Sequence, residues 1–146
     1  MSDRPASAAR LLADVCLVAG DRVLLLRFAQ GASVPDSEPG WYLPVGELAA
    51  YEPPDQAAVR ILFGQTGVES SGPFLSHVES LKGRGGEWRL TFHYVVQVVS
   101  EPPLTPGPGV NEARWFDLTR LPPRGDVSSR GWALTTIKEI LQRAAG

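Results

Sequence analysis

Cysteine is almost missing from this chain: Cys16 stands alone among 146 residues, which rules out an intramolecular disulfide. Such scarcity fits a reducing compartment, and a cytoplasmic location is the expectation. Cys16 lies in an apolar run and reads as a buried, inert thiol rather than a nucleophile. Long hydrophobic stretches are missing as well. Nothing approaches the ~20 apolar residues that a membrane-spanning helix needs. Met1 to Arg10 is mixed in charge and rich in small residues, and Asp14 interrupts the apolar run behind it, so no signal peptide is expected. A strong charge of one sign is also absent. Charged residues make up 21% and the net charge is −2, which gives no pull toward nucleic acid or an anionic membrane. Neither a repeat nor a long linker divides the sequence. Residues 1–146 are therefore expected to form a single domain with one ordinary core, behind a loose lead-in at 1–9.

What is present is a series of β-rich runs punctuated by glycine and proline. Asp14 to Ala19 and Arg22 to Phe28 predict two strands joined by a tight Gly20-Asp21 turn. Val23 to Leu26 is continuously apolar, as in a strand covered on both faces. Gln30 to Gly40 predicts a surface loop. Phe74 to Leu81 and Trp88 to Val99 predict strands on either side of the glycine-rich Lys82 to Glu87. That connection lacks the lysine-threonine ending and following helix of a phosphate-binding P-loop, and it reads as a hairpin tip. Glu101 to Gly109 is crowded with proline and glycine and must be irregular. A terminal helix is predicted from about Gly131 to Arg143, with Trp132, Leu134, Ile137, Ile140 and Leu141 on a wide apolar face.

The stretch from Trp41 to Val68 organises the rest. Pro53 and Pro54 mark a helix start, where a missing N–H is no loss, and Asp55 complements the positive end of the helix dipole. Ala57, Ala58, Ile61 and Leu62 recur at helical spacing as one buried stripe, and Gly67 before Val68 suits a left-handed cap. Gly46, Glu52, Arg60, Leu62, Gly67 and Val68 fall without a gap on a pattern that resembles the Nudix box of the MutT-like hydrolases. That pattern is Gly, five residues, Glu, seven residues, then Arg-Glu-aliphatic-any-Glu-Glu-any-Gly-aliphatic. Trp41 to Pro44, the alanine pair, and the later Glu112-Ala-Arg-Trp-Phe116 also look like the family, and Trp115 and Phe116 are expected in or beside the core. The resemblance covers roughly Val15 to Pro122. It implies an α/β protein of the Nudix fold, an α/β/α sandwich with a mixed β-sheet. It also implies cleavage of a diphosphate linkage by metal-activated water, with Mg or Mn as the cofactor of any active member, and homodimers are frequent among such proteins.

The same register exposes a deficit. Where the family carries its three clustered glutamates, this chain has Ile61, Gly64 and Gln65. Positions spaced i, i+3 and i+4 share one helix face and can present three carboxylates to one metal cluster. Magnesium wants oxygen ligands, and here an isoleucine, a bare backbone and a neutral amide replace them. Glu52 keeps the first glutamate position but precedes two prolines, and it reads as structural. Arg60 is placed to pair with Glu52 or to touch phosphate, the ion pair being the preferred reading. Gly46 supplies backbone freedom after Pro44. Gly64 weakens the helix and is read as an early helix end or a site of close backbone approach.

Other carboxylates could rebuild a site. The pool is Glu47, Asp55, Glu69, Glu79, Glu87 and Glu112. Glu79 leads it as a ligand or base, because some family members place one on a strand after the box. Glu47 and Glu52 are the metal candidates nearest the box. His77 and His93 lie on neighbouring predicted strands but, without carboxylate support, read as core or edge imidazoles. A phosphate or nucleotide pocket is expected between the sheet and the loops Gln30 to Gly40 and Lys82 to Glu87. Phe28, Trp41 or Tyr42 would form its wall, and Arg27, Arg60, Arg84 or Arg89 would meet phosphate. The favoured reading is a Nudix-like domain that binds a nucleoside-diphosphate-type ligand with weak or no metal-dependent hydrolysis. The alternative is an active hydrolase that draws on Glu79 and Glu47.

Overall fold

The structure, a computed structural model, describes residues 9–29 and 39–145. The expected lead-in up to residue 8 and the loop residues 30–38 lie outside the described residues. Strand β1 (Arg10–Ala19) turns through Gly20 and Asp21 into antiparallel β2 (Arg22–Phe28). Short strands β3 (Trp41–Tyr42) and β4 (Val45–Glu47) lead into helix α1 (Pro54–Thr66). The hairpin β5 (Phe74–Lys82) and β6 (Trp88–Val98), strand β7 (Val110–Asp117) and helix α2 (Ser128–Ala145) complete the chain. Pairing is mixed: β1 runs parallel to β6 along its whole length, and the other pairs are antiparallel. This is the reason β1 begins at Arg10 rather than Asp14, since Arg10 already pairs with Arg89.

The sheet is forked. Strand β7 covers one edge of β2 from Arg22 to Phe28, while the other edge meets β1 only at Val23 and Arg22 and then meets β3 at Leu26 and Arg27. The freed edge of β1, Leu12 to Asp14, is taken by β4. Trp41 to Glu47 therefore bridges two diverging halves of the sheet, with Val15 N–H donating to the Pro44 carbonyl at 3.0 Å. Side chains alternate across the sheet. Ala13, Val15, Leu17, Leu24 and Leu26 meet Ala57, Ala58, Ile61 and Leu62 of α1 on one face. Cys16, Val18, Val23 and Leu25 meet Ala133, Ile137 and Ile140 of α2 on the other. Phe116 packs against the α2-side core and Trp115 against the α1-side core.

Helix α1 opens on Pro53, an extended N-cap, and closes on Gly67, whose φ of 77° is left-handed and whose N–H reaches the Phe63 carbonyl at 2.8 Å. Its last free carbonyls are satisfied by the proline-rich loop: Thr105 N–H donates to Thr66 at 2.8 Å and Gly107 N–H to Gln65 at 3.0 Å. The helix runs straight through Gly64, so that residue is not an early end. A Cβ there would meet nothing within 4 Å, whereas one on Gly107 would stand 1.8 Å from the Gly64 carbonyl oxygen. The close approach is real, and Gly107 is the glycine that permits it. Helix α2 starts earlier than predicted, through a first turn in which Ser129 and Gly131 have φ of 53° and 82°. Among the described residues no helix is long and apolar enough to cross a membrane.

Candidate functional site

On the α1 face, the positions of interest are occupied by packing and main-chain bonds. Ile61 is 3% exposed and presses against Gly46, where an added Cβ would come within 3.1 Å of it. Gln65 uses both ends of its amide on one residue. Its Nε2 donates to the Val45 carbonyl at 2.7 Å, and its Oε1 accepts the Val45 N–H at 3.1 Å. Gln65 thus serves β4 as a substitute strand partner. Next to it, Arg60 grips both carboxylate oxygens of Glu52 at 2.8 Å and donates to the Glu47 carbonyl at 2.9 Å. Glu52 also accepts the Ala49 N–H at 3.0 Å. The arginine side chain and that N–H hold its carboxyl far below the usual range, at about 2. The loop from Glu47 to Glu52 is latched onto the helix by these two residues.

The α2 face carries the polar cluster. Asp14, in the middle of an apolar strand, is fully buried and paired in register with His93. His93 Nδ1 donates to both carboxylate oxygens of Asp14, at 2.8 and 2.9 Å, and its Nε2 lies 2.9 Å from Glu79 Oε1. His77 stands beside it, ring centroids 4.6 Å apart, with its Nδ1 2.9 Å from Ser76 Oγ. The β5–β6 register creates this meeting: it runs unbroken from Lys82 with Trp88 to His77 with His93, and the ladder shifts only beyond it, between His77 and Leu75. Burial pulls the pKa of His93 down, but Asp14 and Glu79 outweigh it and raise the imidazole to about 9. His77 moves the other way, lowered by burial and by the charge on His93. Neither Asp14 nor this carboxylate support for the histidines follows from the sequence reading. One signal was available: a lone acid in a central apolar strand needs a buried partner.

The profile of the NUDIX domain family matches residues 9–134. The chain belongs to the Nudix family. Solved structures agree on the fold. A MutT Nudix hydrolase from Burkholderia pseudomallei aligns at TM-score 0.72 and 21% identity, covering 93% of this chain and 98% of that one. A Nudix hydrolase from Nitrosomonas europaea aligns at 0.73 and 17%, covering 92% and 90%. The Nudix domain of Shewanella oneidensis NrtR, complexed with ADP-ribose, aligns at 0.71 and 18%, covering 97% and 94%. No curated protein matches the sequence.

The Nudix box metal does not fit the residues at the box helix. Ile61 offers no donor, Gly64 no side chain, and Gln65 has its only oxygen engaged by Val45. Both Glu52 oxygens are already held by Arg60. Glu47 and Glu79 cannot share an ion instead. Register places Glu47, Leu12, Thr91 and Glu79 in one row across β4, β1, β6 and β5, so about 14 Å separates the two glutamates. Glu47 pairs with Arg10. The expected aromatic wall is closed too. Trp41 and Tyr42 are 3% and 5% exposed, and Trp41 packs edge-on against Phe116 at 4.9 Å. Arg27 and Arg114 lie over the Trp41 ring at 4.7 and 5.2 Å. Arg89 is buried and bonded to Glu87 at 2.8 Å, so it does not face a ligand. Arg84 is exposed in the hairpin turn between β5 and β6. Sequence reasoning missed Arg114, which pairs opposite Leu25, two residues along β2 from the Arg27 that pairs with Trp41.

Proposed function

We propose that this Nudix domain binds a nucleoside-diphosphate-type or related phosphate ligand and has little or no metal-dependent hydrolysis at its box. The observation that supports the reading is Gln65. A residue whose amide bonds both the N–H and the carbonyl of Val45 is part of the scaffold, and it stands where a hydrolase needs a metal-bound carboxylate. The cations Arg27 and Arg114 above Trp41 offer charge for phosphate where β2 pairs with β3. ADP-ribose, the ligand of the similarly folded NrtR domain, is the first to try.

The test is thermal stabilisation by ADP-ribose, ADP and AMP, with manganese and with chelator, alongside assays for phosphate and nucleotide release. Stabilisation that survives chelation, with negligible turnover, is the expected result. Restoring Ile61→Glu, Gly64→Glu and Gln65→Glu together is expected to add manganese affinity at the box helix that the parent lacks there. Efficient manganese-dependent turnover by the parent would overturn the proposal.

A further inference from the structure

We propose that His77, Glu79 and His93 form a binding site for a divalent transition-metal ion of the zinc class, on the α2 face and separate from the Nudix box. One donor atom from each of the three residues lies within 4.8 Å of the others. Zinc holds nitrogen and carboxylate oxygen at about 2.0–2.2 Å in a tetrahedral array, which sets donors roughly 3.3–3.6 Å apart. The existing 2.9 Å contact between His93 Nε2 and Glu79 Oε1 brackets that spacing from below. The ion takes the place of the Nε2 proton between them.

Both imidazoles are already oriented from behind. Asp14 holds Nδ1 of His93 and Ser76 Oγ holds Nδ1 of His77, which leaves the Nε2 atom of each ring as the one open to an ion. A carboxylate partner fixes the tautomer and aim of a metal-bound histidine, as Asp14 does for His93, and the Ser76 hydroxyl can accept from Nδ1 of His77 in the tautomer that binds through Nε2. Two imidazoles with one carboxylate suit zinc or cobalt, not magnesium, which prefers an all-oxygen shell. His77 and Glu79 also line a cavity of about 360 Å³ closed by Trp132, Thr135 and Thr136 of α2. Its lining includes Arg143, bonded to Glu139 at 2.9 Å. Three protein ligands and an open fourth position toward that cavity leave room for water or a small anion.

Calorimetric titration of the intact chain with zinc, and separately with magnesium, tests the site. Cobalt gives a spectroscopic check, since its visible absorption reports histidine ligation. The informative variants are His77→Asn and Glu79→Gln, both at partly exposed positions, with folding followed by circular dichroism. Saturable binding of a single zinc ion is expected, weakened more than about tenfold in each variant, with no magnesium heat. Zinc should also raise the melting temperature of the unmutated chain, which needs no variant to fold. Failure of that chain to bind zinc, or undiminished affinity in either variant, would sink the proposal. Neither substitution touches the box, so the outcome is independent of the nucleotide-binding reading.

Discussion

On the α1 face, an isoleucine, a glycine and an amide stand where the Nudix pattern places carboxylates. On the α2 face, Asp14, Glu79, His77 and His93 are drawn into one hydrogen-bonded group. The residues the box retains are those with mechanical work to do in this chain. Gly46 admits Ile61, Glu52 and Arg60 latch the loop, and Gly67 turns the helix end. The positions that depart from the pattern, Ile61, Gly64 and Gln65, supply packing, helix backbone and main-chain bonds to Val45. Box spacing and box chemistry are therefore separable, and a match of the first kind says little about the second.

The sharpest way to break this contrast is Asp14→Ala. It leaves the imidazole of His93 buried without its principal counter-charge, and breaking such a pair costs about 3–5 kcal/mol. Denaturant unfolding of the metal-free protein measures it, and a loss under about 1 kcal/mol would mean that the α2 cluster is ornamental to stability. On the α1 face the corresponding change is Gln65→Glu. It removes the 2.7 Å donor to the Val45 carbonyl and sets a carboxylate oxygen against it, at an expected cost of about 1–3 kcal/mol. An unchanged unfolding midpoint would demote the amide from scaffold to bystander. Gly64→Ala should go the other way and stabilise by up to about 1 kcal/mol, because the position is helical and a Cβ meets open space. A lower melting temperature for that variant would reveal a contact with the Gly107 loop that tightens on substitution.

Most of the fold was legible because its long elements carry their own patterns. Val23 to Leu26 announces a doubly covered strand, and Pro53 to Gly67 announces a helix with both of its ends. The fork was not legible, since β3 and β4 are defined by which distant edge they pair with, and two or three residues carry no periodicity. The candidate site was half legible. Glu79 and the two histidines stood out as residue types, but the face they share depends on the β5–β6 register, which sets His77 opposite His93 and Glu79 opposite Thr91, and a slip of one residue would reverse it. Asp14 was visible as an interruption of an apolar run. Its meaning lay in a register with His93, across 79 positions of sequence.

The smallest predicted effect separates latch from ligand site most cleanly. If Arg60 only secures the box loop, Arg60→Ala should cost a few tenths to about 1 kcal/mol, the range for pairs with one exposed member, since Arg60 is 51% exposed against 14% for Glu52. Its clearer signature is the titration of Glu52. The folded carboxyl sits at about 2, below its ordinary 4.5, so the stability it contributes is complete above pH 4.5 and fades as pH falls toward 2. Removing Arg60 should raise that carboxyl toward 4.5, with the Ala49 N–H still holding it down, and flatten the acid limb of the stability profile. Carboxyl chemical shifts followed across pH 2 to 5 report it directly. Affinity for ADP-ribose should be unaltered in the same variant, because a guanidinium committed to Glu52 and the Glu47 carbonyl has no remaining fork to offer phosphate. A large affinity loss with little change at Glu52 would reassign Arg60 from the scaffold to the ligand.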